Sequence, residues 1–375
     1  LLLLDEKSWF VEGVAFLQSA QSVVWFISSM LSHPTIGNMP PVDAPHIPVM
    51  WDEVRDALQL VEGGRYVDGT FGAGGYTRGI LDGAPKTHIL AIDRDPRALE
   101  LGAKLVTAMN GRLLLKEGTF GHLEDIARDA EFAPVQGVVL DIGVSSMQID
   151  EAQRGFSFMH DGPLDMRMSQ SGTRAQDLIN SAPEAHLADV LYYYGEERLA
   201  RPIARAIVAA RLETPIVTTK QLVDVVQKVI YPRPNAIHPA TRTFQALRIA
   251  VNDELGELVS ALYGAERLLE EGARLVVVTF HSLEDRIVKQ FFAARSGKTP
   301  SNSRHAPYAD VRQDPSFALV GKQPITASDH EIKRNPRSRS AKLRFGIRTS
   351  APIWPEDDSL MRLAQLPTHT LKRGR

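Results

Sequence analysis

The segment Asp68-Gly69-Thr70-Phe71-Gly72-Ala73-Gly74-Gly75 constrains this chain more than any other. It follows a short apolar run, Tyr66-Val67-Asp68, and leads into a segment with helical spacing. Glycines at such a turn permit positive φ and let the backbone approach a ligand closely. A tight turn without a ligand would explain any one of them equally well. The second half of the pattern is His88 to Asp93, an apolar run closing on a carboxylate about 25 residues after Asp68. An acid at that strand end is placed to accept both hydroxyls of a ribose. Loop and acid together predict a nucleoside cofactor at the carboxyl edge of a parallel sheet.

The surrounding sequence supports such a sheet. Leu113-Leu114-Leu115 and Val138-Val139-Leu140-Asp141 read as the third and fourth strands. Between the second and third, Asp95 is set to cap a helix that Pro96 opens, since a first-turn proline loses no hydrogen bond. Apolar runs alternating with helices mean βαβ units. The alternation stops after Asp141, and amphipathic helical segments fill about 175 to 247. Strand character returns at Arg274–Phe280, followed by a helix over Asp285–Phe292 and strand candidates at Phe317–Val320 and Ala341–Ile347. The expected organisation is a discontinuous α/β domain over 46–150 and 249–348, an inserted helical domain over 151–248, and a tail over 349–375 that ends in the solvated run Lys372–Arg375. Pro202 falls inside the helical run Glu196–Arg211, where a helix kinks or begins.

Residues 1–38 read differently. Asp5 and Glu6 stand where a signal peptide wants basic residues, and Gln18, Ser19, Gln21 and Ser22 interrupt the apolar stretch Val14–Leu31. The preferred reading is a non-native extension, with translation starting near Met39; a targeting peptide is the alternative. No membrane segment is expected. The chain has no cysteine, which removes disulfides, thiolate metal sites and a thiol nucleophile, and fits a cytoplasmic location. The formal net charge of -2 excludes a globally basic nucleic-acid binder, so an RNA surface would have to be a local patch.

The loop spacing, Asp-x-x-x-Gly-x-Gly-Gly, departs from the dinucleotide fingerprint, and a pyrophosphate would want an uncharged helix start. Asp68 at the head of the loop suits the ammonium end of S-adenosyl-L-methionine better than a phosphate. Phe120, just past the third strand, is placed to lie against an adenine or simply to fill the core. Asp141 closes the fourth strand at the edge where ligands bind in open α/β folds, and a functional role is expected of it.

Eight blocks carry a family resemblance: Tyr66–Gly75, Ala91–Pro96, Asp141–Met147, Arg154–Met168, Tyr194–Arg198, His238–Arg248, Thr279–Lys289 and Asn335–Arg344. Over about 46 to 348 the chain resembles the ribosomal RNA small subunit methyltransferase H family, whose members methylate N4 of a cytidine in the decoding region of 16S rRNA. The resemblance implies a Rossmann-like class I methyltransferase of mostly parallel sheet with an antiparallel last strand, plus an inserted helical domain that recognises substrate. It implies cofactor contacts at Gly74, Gly75, Tyr76, Asp93, Phe120, Asp141 and Gln148. Of these, Tyr76 and Gln148 come from the resemblance alone, and Tyr76 stands where many members carry histidine, its hydroxyl available to replace that hydrogen bond. The implied partner is 16S rRNA in the small ribosomal subunit; monomer and homodimer both remain open.

An exocyclic cytosine amine is a poor nucleophile because its lone pair is conjugated, so acceptors must hold the amine and take its proton. Asp141 is the catalytic candidate. The aromatic that base amino-methyltransferases carry after the fourth strand is missing from Asp141-Ile142-Gly143-Val144, which makes Phe156 and Phe158 candidates for stacking on a flipped-out base, against an equal alternative as anchors of the insertion. Arg198, Arg201 and Arg205 share helical spacing, Arg242 and Arg248 flank the block His238–Arg248, and Lys333, Arg334, Arg337 and Arg339 cluster before the last strand. Arg198 and Arg242 are the substrate-binding candidates among them. His238 and His281 have no second ligand at zinc spacing, so no metal is expected.

Overall fold

The computed structural model describes residues 48–234, 236–297 and 313–367. The expected extension 1–38 and the terminal Lys372–Arg375 lie outside them. In chain order come α1 (Trp51–Leu58), β1 (Arg65–Asp68), α2 (Gly75–Gly83), β2 (His88–Asp93), α3 (Pro96–Ala108), β3 (Leu113–Glu117), α4 (Leu123–Asp129) and β4 (Val135–Asp141). The helical region follows with α5 (Ser146–Asp150), α6 (Ala175–Ser181), α7 (Glu184–Asp189), a π-helical turn over Val190–Tyr194, α8 (Ala200–Glu213), α9 (Thr219–Gln227) and α10 (Thr241–Asn252). The chain then returns through α11 (Glu254–Leu268), β5 (Leu269–Thr279), α12 (Ser282–Arg295), β6 (Phe317–Ala318), β7 (Ile325–Thr326), α13 (Asp329–Arg334), β8 (Lys342–Arg348) and α14 (Asp358–Ala364).

The sheet runs β3-β2-β1-β4-β5-β8-β6, with β7 also on β8. Strands β1 to β5 pair in parallel, and β8 is antiparallel to β5. Strict alternation divides each strand between two cores. Val67, Leu90, Ile92, Val138, Leu140, Leu275 and Val277 face one side, where α11 and α12 pack. Tyr66, Ile89, Ala91, Val139, Val276 and Val278 face the other, with Val54 and Leu58 of α1 and Ile80 of α2. Burial on both faces is what the near-continuous apolar runs require. Helix α3 starts as its sequence dictates: the Asp95 side chain accepts from the Arg97 N–H at 3.2 Å, and Pro96 occupies the first turn.

The helical segment has a core of its own, built on Leu164, Ile179, Leu191, Ile203, Ile207, Leu222, Val226 and Leu247. It leaves the sheet after β4 and returns through α11 to β5, the strand beside β4. Asn252 stitches the two crossings: its amide donates to Met166 O at 2.8 Å and accepts from Met168 N at 2.9 Å, while its carbonyl accepts from Arg94 at 2.9 Å. Helix α8 begins at Ala200, which puts Pro202 in the first turn, where it breaks no hydrogen bond.

One expectation needs correcting, and one strand is additional. Residues 349–367 are not a free tail, because α14 buries Leu360 and Ala364 against the sheet domain, and Tyr263 and Tyr194 donate to the carbonyls of Asp357 and Ala364 at 2.9 and 3.0 Å. The apolar spacing Leu360, Leu363, Ala364 carries that packing. Strand β7 was not expected: two residues are too short to show a period.

Candidate active site

The carboxyl ends of β1, β2 and β4 bring Asp68, Asp93 and Asp141 to one edge of the sheet. The loop after β1 is shaped by Gly72 and Gly74, at φ +53° and +76°, a region that costs other residues strain. Gly74 is the N-terminal cap of α2 and Gly75 its first residue, so the first-turn N–H groups of α2 face this edge. Asp93 ties the loop to its neighbour. Its Oδ2 accepts from Gly72 N at 2.7 Å and its Oδ1 from Asp95 N at 2.8 Å. Each oxygen keeps a second lone pair, so two acceptor sites remain for a ribose diol. Phe120 opens a 3₁₀ turn after β3, with its Cβ 3.5 Å from where a Cβ on Gly69 would sit. It therefore lies against the base of the loop.

Asp68 departs from its expected role. It is fully buried, with Oδ1 accepting from Thr70 N at 3.1 Å and Oδ2 from the Thr77 hydroxyl at 2.6 Å. Burial pushes its pKa up to about 6, the donors Thr77 and Thr70 pull against that, and the charge of Asp93 adds to the rise. Asp68 organises the loop rather than facing a ligand's ammonium group. The Tyr76 ring is buried and its hydroxyl donates to the Val49 carbonyl, so its proton is already committed within the fold. Gln148 spends its side chain on a capping box with Ser145 and on Asp95, whose Oδ2 accepts from it at 2.9 Å. It braces the loop after β4 against the start of α3.

Asp141 is different in kind. Its backbone N–H donates to the Thr70 hydroxyl at 2.7 Å, but its buried Oδ1 has no hydrogen-bond partner. Burial, followed by the negative charges of Asp68 and Glu284, pushes its pKa up to about 8. A buried acceptor without a donor costs about 1–3 kcal/mol, which a fold tolerates where a ligand supplies the donor. The neighbouring strand brings an aromatic to the loop after β4. Phe280, just beyond β5, lies 3.5 Å from the Cβ position of Gly143. Its place beside Asp141 follows from the β4–β5 pairing and is invisible in the one-dimensional pattern.

The sequence candidates farther out are sorted by their partners. Phe158 stacks on His238 at 4.4 Å and meets Phe244 edge-on at 5.1 Å, while Phe156 lies under the Arg154 guanidinium at 5.7 Å. Both rings pack against the helical core, as anchors would. Arg242 donates to the Glu196 carbonyl at 3.1 Å. Arg248 is bidentate on Glu254 at 2.7 Å, with Glu284 at 3.8 Å, and is an internal counter-ion rather than an RNA contact. Arg334 and Arg337 pair with Glu331 and Asp150. Arg198 and Arg201 are exposed, and no anionic partner is found for either among the described residues. His281 caps α12, and Glu254, His281 and Glu284 bring three ligand-type atoms within 4.8 Å of one another. The Arg248 guanidinium offsets one of the two carboxylate charges of that group.

Sheet order, an antiparallel strand beside β5, and the glycine loop opposite a ribose-type acid define a Rossmann-like methyltransferase. The residues present fit S-adenosyl-L-methionine, with positive-φ backbone at Gly72 and Gly74, spare acceptors on Asp93 and an orphaned oxygen on Asp141. Residues 43–348 match the MraW methylase family, and the chain belongs to it. It is 60% identical over 333 residues to ribosomal RNA small subunit methyltransferase H of Methylobacterium nodulans, covering 88% of this chain and 98% of that protein. The protein of the same name from Beijerinckia indica is 57% identical, covering 86% and 91%. A solved rRNA methylase of Streptococcus thermophilus superposes with a TM-score of 0.33 at 11% identity, covering 80% of this chain and 95% of that one. No helix among the described residues is long and apolar enough to cross a membrane.

Proposed function

We propose that this protein methylates the N4 amino group of a cytidine in the decoding region of 16S rRNA, acting in the cytoplasm on the small ribosomal subunit with S-adenosyl-L-methionine as donor. The names of relatives aligned over nearly their full length support the ribosomal substrate. The observation that carries the amine chemistry is the unpartnered Oδ1 of Asp141 at the end of β4.

When bound, the cofactor supplies an electrophilic methyl group on a cationic sulfur. Transfer of that methyl to cytosine N4 would form a C–N bond at the expense of the S–C bond and leave N4 with a proton to shed. Asp141 Oδ1 accepts a hydrogen bond from the amine, which favours a localised lone pair, and the carboxyl, raised to about 8 by burial, becomes the acceptor for that proton once the cationic cofactor beside it favours its ionised form. Asp93 orients the ribose and the first turn of α2 holds the loop side of the ligand, so positioning supplies much of the rate. Phe280 covers the base from the β5 side, a part for which the sequence offered Phe156 and Phe158 as candidates beside their equal reading as anchors of the insertion. Arg198 contributes to holding the RNA backbone.

The experiment is mass spectrometry of 16S rRNA nucleosides from cells with and without the protein, followed by transfer of labelled methyl groups into unmethylated subunits. Loss of N4-methylated cytidine in the deletion, restored by the parent and not by Asp141→Asn, is the expected result. An unchanged nucleoside profile refutes the proposal.

A further inference from the structure

The segment that joins the π-helical turn to α8 combines features that nothing in the catalytic edge uses. Tyr192 and Tyr193 are 56% and 43% exposed and meet edge-to-face at 5.0 Å. Leu199 is 42% exposed. The Glu197 N–H returns to the Leu191 carbonyl at 3.2 Å, which folds the turn back on the tyrosines. Arg198 and Arg201 follow at once, exposed and with no anionic partner among the described residues.

This segment is fastened to the catalytic edge. The Glu196 carboxylate accepts from the Ser282 hydroxyl and from Arg286 at 2.9 Å, and its carbonyl accepts from Arg242 at 3.1 Å. Ser282 is the first residue of α12, three residues past the end of β5, whose Val278 pairs with Asp141. Glu196 is thus neutralised by its own contacts, while the arginines beyond it keep their charge. Among the basic clusters legible in the sequence, Arg242, Arg248, Arg334 and Arg337 are drawn into internal bonds or ion pairs. Cations left unpaired beside exposed rings suit an anionic chain that carries flat faces.

We infer that the stretch from Tyr192 to Arg201 is a docking rim for single-stranded RNA, with a base flanking the target nucleotide stacked on Tyr192 or Tyr193 and neighbouring phosphates held by Arg198 and Arg201. The inference rests on the reading of RNA as substrate and adds where the strand is gripped. The Glu196–Ser282 clasp sets the distance between the grip and Asp141.

The test measures binding of the full chain to a labelled single-stranded RNA of about twelve nucleotides and to unmethylated small subunits, across a salt series. Replacing Arg198 and Arg201 by Gln lowers the salt slope on the single strand by about 1.4, while replacing both by Lys keeps it. Tyr192→Ala with Tyr193→Ala weakens binding about tenfold or more at an unchanged slope. Melting curves and S-adenosylhomocysteine binding confirm an intact fold, and single substitutions read by the same slope decide the matter if a double variant melts early. Parental affinity and slope in the Gln pair overturn the inference. So does a loss confined to subunits with naked RNA binding intact, which would assign the rim to a ribosomal protein. Binding needs no methyl transfer: a chain that grips RNA here but methylates nothing refutes the proposed function and leaves the rim standing.

Discussion

Asp93→Asn separates a cofactor pocket from a merely well-tied turn. In the parent, each Asp93 oxygen accepts one backbone N–H, from Gly72 at 2.7 Å and from Asp95 at 2.8 Å, leaving one lone pair per oxygen. The amide turns one oxygen into a donor that must face one of those N–H groups. Leaving that N–H unpaired costs about 1–3 kcal/mol of stability, readable as a lower urea midpoint. On the ligand side, the substitution removes one charge-assisted bond to a ribose hydroxyl and weakens the other. The combined loss is about 3 kcal/mol, roughly a hundredfold in Kd. Calorimetry with S-adenosylhomocysteine and its 2′,3′-dideoxy analogue isolates this effect. The parent prefers the diol by about that factor, and Asp93→Asn loses most of the preference. If the variant keeps the full ratio, the ribose sits elsewhere and the site assignment is wrong.

Asp141→Asn is expected to stabilise the protein at pH 8 and much less at pH 5. Because the folded pKa of about 8 lies above the unfolded value, the stability that the neutral carboxyl allows is fully present below about pH 4 and is lost as pH rises through 8. Urea unfolding at the two pH values checks the sign. A cationic ligand pulls that pKa down, so S-adenosyl-L-methionine binds more tightly as pH rises toward 8 while neutral S-adenosylhomocysteine responds weakly, and titrations of Asp141→Asn lose the difference. Thr77→Val removes the 2.6 Å donor to buried Asp68 and costs about 2 kcal/mol at pH 8, less at pH 5 where the carboxyl is neutral. Phe280→Ala lowers methyl transfer about tenfold or more, with S-adenosylhomocysteine affinity nearly unchanged in calorimetry.

The sheet was legible because its strands are buried on both faces and end in carboxylates or glycines. The lengths of β1 to β4 followed from the apolar runs to within a few residues, and the start of α3 followed from Asp95 and Pro96. The glycines, Asp93, Phe120 and Asp141 could be placed at one edge from topology alone. Side-chain commitments could not. Whether an acid faces a ligand or its own loop depends on which donors the fold brings to it, and Thr77, nine residues after Asp68, gives no sign of that in the sequence. Phe280 escaped for the same reason, since its neighbour Gly143 lies across a strand pairing rather than along the chain. The arginines of three similar clusters were separated only by their partners, and Leu360 and Ala364 took α14 out of the tail.

Strands β4 and β5 lie side by side, yet the whole helical segment and α11 intervene between them. Zipping two parallel strands across a floppy tether of well over a hundred residues costs about 4 kcal/mol in closure entropy. A tether that has already condensed, clipped by Asn252 to Met166 and Met168, behaves as a shorter one and recovers about 1 kcal/mol of that. If the helices condense first they serve as a scaffold for the sheet, and Asn252→Ala is then expected to slow refolding more than it speeds unfolding, which stopped-flow kinetics in urea check.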